Sequence, residues 1–180
     1  METILLFDNA VLNWIQQHMT SPAGDFFMPA VTALGEFGLI WLAAAAVLLC
    51  RKGTRRTAVE MLAALLIVLV VCNLTLKPLV DRTRPFAANG FEGLLIAAPT
   101  DPSFPSGHTA SSFAAAAAWF RRDKRWGSAA LVLAALIAFS RLYLYVHYPS
   151  DVLAGATLGV AAAFLAGWIV KKAEALRKAG

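Results

Sequence analysis

The sequence has little cysteine, little charge, and no positive charge near its start. Its two cysteines both lie in apolar runs, which excludes a disulfide framework and the paired spacing of a zinc site. No Lys or Arg occurs in the first 50 residues, so the basic start of a cleaved signal peptide is missing and we expect no such peptide. Charged residues are 15% of the chain, against roughly 25% in soluble domains. These shortages argue against a secreted disulfide-rich domain and against an ordinary soluble domain.

Apolar residues make up 59% of the 180 residues and are gathered in long runs. A helix that crosses a bilayer needs about 20 mostly apolar residues. We therefore predict an all-α fold, a polytopic membrane helix bundle in one domain, with about five transmembrane helices. The predicted spans are 26–50, 57–76, 106–120, 126–145 and 152–170. The third is short, and we expect it to begin below the outer interface.

Residues 3–19 are predicted to form a helix that lies at the membrane interface. They mix apolar residues with Asp8, two asparagines and two glutamines, which makes the segment amphipathic and too polar to span. Ser21 and Pro22 then end this helix and start the next element. The predicted plan is an interfacial helix over 1–22, a transmembrane core over 23–171 and a cytoplasmic tail over 172–180.

Twelve of the sixteen Lys and Arg residues lie in three clusters beside the apolar runs. The clusters are Arg51, Lys52, Arg55 and Arg56; Arg121, Arg122, Lys124 and Arg125; and Lys171, Lys172, Arg177 and Lys178. With five spans, all three clusters fall on one side, which the positive-inside rule makes cytoplasmic. The net charge of +5 therefore indicates orientation in a membrane, with a cytoplasmic C-terminus, and not binding to nucleic acid.

The other four cations lie on the opposite, outer side and need a different explanation. They are Lys77, Arg82, Arg84 and Arg141, and they share that side with His108, His147, Asp151 and the loop 86–104. The planar guanidinium of arginine matches phosphate oxygens, and lysine adds a point charge. Lys77, Arg84 and Arg141 together would offset a dianionic phosphate and the charge that develops during its transfer. We therefore predict a phosphate site that needs no metal ion, because the protein supplies the positive charge.

Two further segments predict the chemistry at this phosphate. Ser106 is a good N-cap for the apolar run that follows it, Gly107 lets the backbone approach a ligand, and the free N–H groups there favour an anion. His147 and Asp151 are four residues apart. If Asp151 bonds one ring nitrogen of His147, the other nitrogen is left as a nucleophile. His108 would then protonate the leaving oxygen.

Each of these residues also has a structural interpretation when taken alone. Asp151 could serve only as the N-cap of the last span, and His108 could simply sit at the interface. Arg82 and Arg84 could hold lipid headgroups, and Lys77 could extend along apolar surface to the interface. Their combination in three short segments favours a catalytic site.

Three other features are interpreted as structural. Glu36 lies between glycines in the first span, which predicts a break in that helix or the wall of a polar cavity. Gly155 and Gly159 are predicted to pack against another helix of the same chain. Asp81 and Arg82 are expected to pair with each other or to shape the rim of the site.

The three polar segments resemble the signature of the type 2 phosphatidic acid phosphatase family. That signature reads Lys-x6-Arg-Pro, Pro-Ser-Gly-His and Ser-Arg-x5-His-x3-Asp. Here it appears as Lys77-x6-Arg84-Pro85, Pro105-Ser106-Gly107-His108 and Ser140-Arg141-x5-His147-x3-Asp151. Soluble vanadium haloperoxidases share the signature, but the predicted spans argue against that branch. Many membrane members have six spans, one more than we predict, so the N-terminal packing is where this chain departs from the family.

The resemblance implies a role for each matched residue. His147 would form a phosphohistidine, Asp151 would orient it, and His108 would be the general acid. The implied phosphate ligands are Lys77, Arg84, Arg141, Ser106 and Gly107. The resemblance also implies a reaction without a metal or any other cofactor.

The implied partners are the lipid bilayer and a phosphorylated membrane lipid. The implied location is the bacterial plasma membrane, with the active site facing outward. Small bacterial members often resemble undecaprenyl-diphosphate phosphatases, and this is the leading expectation. Phosphatidylglycerophosphate or phosphatidic acid phosphatase, lipid A phosphatase or phosphotransferase, and a non-catalytic lipid-phosphate binder or transporter are the alternatives. The loop 86–104 would gate the site or contact the lipid tail, and the sequence does not indicate an oligomeric state.

Overall fold

All regular secondary structure in the computed structural model, which describes residues 2–179, is helical, as predicted. The helices are α1 (Glu2–His18), α2 (Pro22–Leu34), α3 (Leu39–Leu49), α4 (Arg55–Val68), α5 (Lys77–Val80), α6 (Pro85–Ala88), α7 (Gly107–Arg122), α8 (Lys124–Tyr143) and α9 (Pro149–Ala179). The segment Leu69–Leu76 continues α4 with wider, π-helical winding. Helix α9 runs without a break from the last predicted span through residue 179 of the predicted tail.

Three stretches of the described chain are long and apolar enough to cross a membrane. They are Arg55–Ala88, Lys124–Tyr143 and Pro149–Lys178, and the bent pair α2–α3 makes a fourth if it counts as one span. The remaining predicted span corresponds to α7, which has 16 residues. At 1.5 Å per residue α7 is about 24 Å long, less than the roughly 30 Å of a hydrocarbon core. The all-α membrane bundle is confirmed, and a fifth span stays a prediction.

The first predicted span is broken where the glycines around Glu36 predicted a break. Helices α2 and α3 meet at 45°. Between them, Phe37 has φ 48° and Gly38 has φ 67°, both in the left-handed region that an α-helix cannot contain. Glu36 also lines a cavity together with charged residues such as Lys77 and Arg141, so both parts of that prediction hold.

Helix α7 lies at the centre of the bundle, in contact with α4, α8 and α9. Its run of alanines is buried and allows close approach of the neighbouring helices. A Cβ atom at Gly155 would lie 2.6 Å from the carbonyl oxygen of Ser106, and one at Gly159 would lie 2.4 Å from that of Ala110. The two glycines of α9 are therefore required for packing within the chain, as predicted.

The three cation clusters meet at one end of the bundle. Glu60 of α4 is fully buried there and accepts hydrogen bonds from Arg56 and Arg122. Arg56 also pairs with Glu174 of α9 at 3.1 Å. A buried carboxylate needs such partners, and these ion pairs tie α4, α7 and α9 together. The predicted site residues lie at the opposite end.

Helix α1 forms as predicted, but it is more than an interfacial helix. Its residues Asp8, Leu12 and Ile15 are buried against the rest of the protein. They are spaced i, i+4 and i+7 and therefore share one face of the helix. Leu12 packs on Tyr145 and Tyr148 in the loop that carries the predicted nucleophile. Several apolar side chains of α1 are exposed, among them Leu6, Phe7 and Trp14, and its location at the membrane interface stays a prediction.

Candidate active site

The three polar segments come together around a cavity of about 980 Å³. Six of the eight predicted site residues line it: Lys77, Arg84, Gly107, His108, Arg141 and His147. The other two, Ser106 and Asp151, are fully buried next to those residues. Residues more than 60 positions apart in the sequence are thus brought to one place, as the motifs predicted.

His147 is held in the short loop between α8 and α9, and its side chain is 1% exposed. Its Nε2 atom lies 3.2 Å from Nη1 of Arg84. Its Nδ1 atom lies 3.4 Å from Oγ of Ser103 and 3.6 Å from Oδ2 of Asp151. Because the guanidinium can only donate, the network favours the tautomer with the proton on Nδ1. Nε2 then carries the lone pair.

Burial, followed by the positive charges of Arg84, Arg141 and Lys77, holds the pKa of His147 well below its ordinary value. A low pKa keeps the imidazole neutral at neutral pH. A neutral imidazole is the form that attacks an electrophile.

The contact between Asp151 and His147 differs from the prediction in detail. The 3.6 Å separation of Oδ2 and Nδ1 is too long for a direct hydrogen bond. The reason is that Asp151 is already occupied by other donors. Its Oδ2 accepts from Ser103 at 2.6 Å and from the Tyr148 N–H at 2.9 Å, and its Oδ1 accepts from Arg82 at 2.5 Å. Ser103 therefore lies beside both groups, a position that sequence analysis missed.

The cations are buried and directed at the cavity. Arg84 donates from Nη1 to the carbonyl oxygen of Val146 at 2.8 Å, which fixes its guanidinium beside His147. Arg141, in the last turn of α8, donates from Nη1 to Oγ1 of Thr32, and its buried Nε has no hydrogen-bond partner within residues 2–179. A buried donor without a partner is costly unless a ligand fills it. Arg141 therefore lines the cavity with a hydrogen-bonding capacity that the described protein atoms leave unused.

Asp101 lies between Lys77 and Arg84, where a phosphate would bind. Its Oδ1 accepts from Arg84 at 2.8 Å, and its Oδ2 accepts from Lys77. Burial alone would raise its pKa, but the hydrogen bonds and charges of Lys77 and Arg84 outweigh that effect and lower the pKa to about 2. Sequence analysis did not identify Asp101, because nothing in the local sequence indicates that it meets the two cations.

The start of α7 agrees in part with the prediction. Ser106 stands at the N-cap position, but its side chain makes no capping bond and instead accepts from Thr109 Oγ1 at 2.9 Å. A Cβ atom at Gly107 would lie 3.1 Å from Oδ1 of Asn73, so only glycine fits there without displacing a neighbour. Nε2 of His108 lies 3.3 Å from Oε2 of Glu36, without the alignment of a hydrogen bond.

Arg82 was expected to pair with Asp81 or to shape the rim, and the pairing was wrong. It forms ion pairs with Asp8 of α1 and with Asp151. Its guanidinium also lies 3.9 Å from the ring centroid of Tyr148. The two acids are separated from Arg82 by 74 and 69 residues, so local spacing gave no signal for either contact.

The cavity is lined by two chemically different sets of residues. One set comprises the cations and the two histidines. The other set is apolar and includes Leu42 of α3 with Leu62, Leu65 and Leu66 of α4 and Leu69 of the π-helical segment. Such a cavity suits a molecule with a phosphate at one end and a hydrocarbon chain at the other.

Comparisons with known proteins agree with this description. The model of the PAP2 superfamily matches residues 57–175. The chain is 32% identical over 154 residues to an undecaprenyl-diphosphatase of Sulfolobus acidocaldarius, covering 81% of this chain and 74% of that protein. It is 32% identical over 194 residues to a lipid A 4'-phosphatase of Bacteroides thetaiotaomicron, covering 96% and 77%. The transmembrane PAP2-type phosphatidylglycerolphosphate phosphatase of Bacillus subtilis shares the fold, with a TM-score of 0.77 at 24% identity over 96% of this chain and 88% of that chain. The resemblance indicated by the three motifs is confirmed.

Proposed function

The chain belongs to the PAP2 superfamily of membrane lipid phosphatases, and we propose that its own reaction is the hydrolysis of undecaprenyl diphosphate to undecaprenyl phosphate. The observation that carries this proposal is the two-part cavity, which joins three buried cations and a neutral histidine to an apolar wall. A long prenyl chain needs such a wall, and a terminal phosphate needs such cations. The relative named undecaprenyl-diphosphatase supports this choice of substrate.

In the proposed first step, Nε2 of His147 attacks the terminal phosphorus. The P–N bond forms while the P–O bond to the rest of the lipid breaks. His108 donates a proton to the leaving oxygen, so undecaprenyl phosphate leaves. In the free protein Arg84 donates to Nε2, and the phosphate oxygens would take over that donor, which frees the lone pair for attack.

In the proposed second step, water attacks the phosphohistidine. His108, now neutral, takes a proton from the water, the P–N bond breaks, and orthophosphate leaves. Lys77, Arg84 and Arg141 would stabilise the negative charge on the equatorial oxygens in both steps. Ser106 and the Gly107 backbone are the remaining proposed phosphate ligands. Asp151, with Ser103 beside it, would hold the Nδ1 proton and stabilise the positive charge that forms on His147.

The proposed orientation places this site at the outer face of the plasma membrane, with the C-terminus in the cytoplasm. The three cation clusters at the opposite end of the bundle support it through the positive-inside rule. Counting the α2–α3 pair as one span and α7 as another gives the five spans of this arrangement, in one domain covering the whole chain. The lipid would then keep its hydrocarbon chain in the bilayer while its phosphate reaches the cations.

A lipid A phosphatase is the second candidate, favoured by the relative of that name that aligns with 96% of this chain. Both candidates use the same site chemistry and differ only in the lipid. The test is therefore phosphate release by the purified protein in detergent with EDTA. Undecaprenyl diphosphate, lipid A, phosphatidylglycerophosphate and phosphatidic acid should be compared at equal surface concentration. The fastest release is expected from undecaprenyl diphosphate.

The nucleophile is tested by His147→Ala, with His18→Ala as the matched control. His18 is an exposed histidine in α1 and does not line the cavity. His147→Ala should abolish turnover while binding of the phosphorylated lipid persists, and His18→Ala should behave as wild type. Normal turnover by His147→Ala would refute the mechanism. Binding without turnover by the wild-type protein would favour a lipid-phosphate binder.

A further inference from the structure

A carboxylate in α1 is buried behind the active site, outside the cavity lining. Asp8 is fully buried, whereas the other polar residues of α1 are exposed or only partly buried. Its Oδ2 accepts from Nη2 of Arg82 at 2.7 Å and from Oγ of Ser150 at 2.5 Å, and its Oδ1 accepts from the Ser150 N–H at 2.9 Å. A buried carboxylate is costly unless it is paired and hydrogen-bonded in this way. No step of the proposed reaction uses Asp8.

Arg82 connects this carboxylate to the predicted catalytic group. Its Nη2 holds Asp8, while its Nη1 donates to Oδ1 of Asp151 at 2.5 Å and to Oγ of Ser150 at 2.7 Å. The planar guanidinium thus spans two carboxylates with one fixed fork, a geometry that lysine cannot reproduce. Tyr148 lies against the flat face of the guanidinium, with 3.9 Å between Cζ and the ring centroid.

This arrangement fixes the orientation of Asp151. With Oδ1 held by Arg82, Oδ2 is turned to Ser103 and toward Nδ1 of His147. If Asp8 were removed, Arg82 would lose the anchor that places it and would carry a charge no longer shared by two acids. Arg82 would then bind Asp151 more strongly and draw it away from His147. The imidazole of His147 would then be less well oriented, although no contact with the lipid is lost.

We propose that Asp8 is a positioning residue, which acts through Arg82 on Asp151 and so on His147. This inference rests on the proposed nucleophile, and it gives α1 a part in the reaction as well as in membrane association. The effect falls on the chemical step, because neither Asp8 nor Arg82 lines the cavity that would hold the lipid. Loss of the Asp8–Arg82 contact should therefore lower kcat and leave KM unchanged.

The test compares Asp8→Asn with Glu2→Gln, which removes an exposed carboxylate from the same helix. Asparagine keeps the shape of Asp8 and removes its charge. Intact sites are counted by the orthovanadate bound at saturation, so that misfolded protein does not enter kcat. Asp8→Asn should lower kcat per site by about 10- to 100-fold, the loss typical of removing the partner that orients a metal-ligating residue, which is the nearest parallel to this contact. KM should stay within about twofold, and Glu2→Gln should match wild type.

A second variant keeps the proposal testable if Asp8→Asn does not fold. Arg82→Lys retains the positive charge and loses the fork, so it should lower kcat per site to a similar extent. If both single variants fold, the double variant should be no slower than the slower single one, because both act through the same contact. A wild-type kcat per vanadate site in either folded variant would overturn the proposal and reduce Asp8 to a structural ion pair. Normal turnover by His147→Ala would instead refute the proposed function.

Discussion

Asp101 is expected to compete with phosphate for Lys77 and Arg84, so replacing it should tighten the binding of phosphate. Its carboxylate holds both cations in the free protein. Its pKa is lowered from 3.8 to about 2 by those cations, against the opposing effect of burial. The contact is therefore complete above the ordinary pKa of 3.8 and is lost only as the pH falls through about 2. At neutral pH the substrate phosphate must displace an ionised carboxylate.

The size of this competition follows from the pKa shift. A lowering of the pKa from 3.8 to about 2 corresponds to about 2 kcal/mol between the carboxylate and its surroundings. Because the Asp101 side chain is 50% exposed, solvent screening reduces this figure to about 1 kcal/mol. Removing the charge should therefore strengthen phosphate binding by about fivefold. The backbone carbonyl of Asp101, which accepts from Nε of Arg84 at 2.8 Å, is unaffected by the change.

The assay is product inhibition by orthophosphate at fixed ionic strength, with Asp101→Asn beside wild type. Glu92→Gln is the matched control, since Glu92 is an exposed acid of the same loop and forms no ion pair within residues 2–179. The inhibition constant should fall about fivefold in Asp101→Asn and stay constant in Glu92→Gln. A higher inhibition constant in Asp101→Asn would refute the reasoning. It would mean that Asp101 orders the two cations for phosphate and does not compete with it.

Three further predictions follow from the geometry. Because the pKa of His147 is lowered, kcat/KM for an aryl phosphate, whose leaving group needs no proton, should stay level as the pH falls from ~7.5 to ~5.5. A decline of kcat/KM with falling pH, centred near pH ~6.5, would contradict this. Gly159→Ala should destabilise the protein by about 1–3 kcal/mol and lower Tm, because the new Cβ meets the α7 backbone. The control Gly53→Ala places its Cβ in open space and should leave Tm unchanged, so equal Tm values for the two variants would contradict the packing argument. In intact cells a membrane-impermeant maleimide should label Glu92→Cys, and the native exposed Cys50 should react only after permeabilisation; the reverse pattern would overturn the orientation.

The sequence predicted the parts of the site that depend on local spacing. His147 and Asp151 are joined by the short turn that starts α9, so their proximity follows from four residues of chain. Lys77 begins the short helix α5 and Arg84 directly precedes α6, so they are close in the chain, and both reach the same carboxylate. The boundaries of α7 and α8 were also predictable, because long apolar runs ended by charged residues have few alternative structures, whereas α9 continues to Ala179, past the predicted span 152–170.

The missed contacts all join segments that are distant in the chain. Asp8 meets Arg82 across 74 residues, and Ser103 meets Asp151 across 48 residues. No local periodicity predicts such pairs. One signal was nevertheless present: Asp8 shares a helix face with Leu12 and Ile15, and an acid on an apolar stripe implies a buried partner cation.

The short length of the central helix α7 bears on the depth at which the cations and histidines lie in the membrane. Helix α7 is about 24 Å long, and its basic last turn lies at the end of the bundle that carries the cation clusters. If that end is at the inner interface, the first turn of α7, with Gly107 and His108, lies several ångströms below the outer surface of a roughly 30 Å hydrocarbon layer. A lipid phosphate would then need to sink slightly to react, which exposes it to the cations and removes it from water. Lengthening α7 would raise the histidine toward bulk water and weaken the contact between phosphate, cations and apolar wall on which the proposed reaction depends.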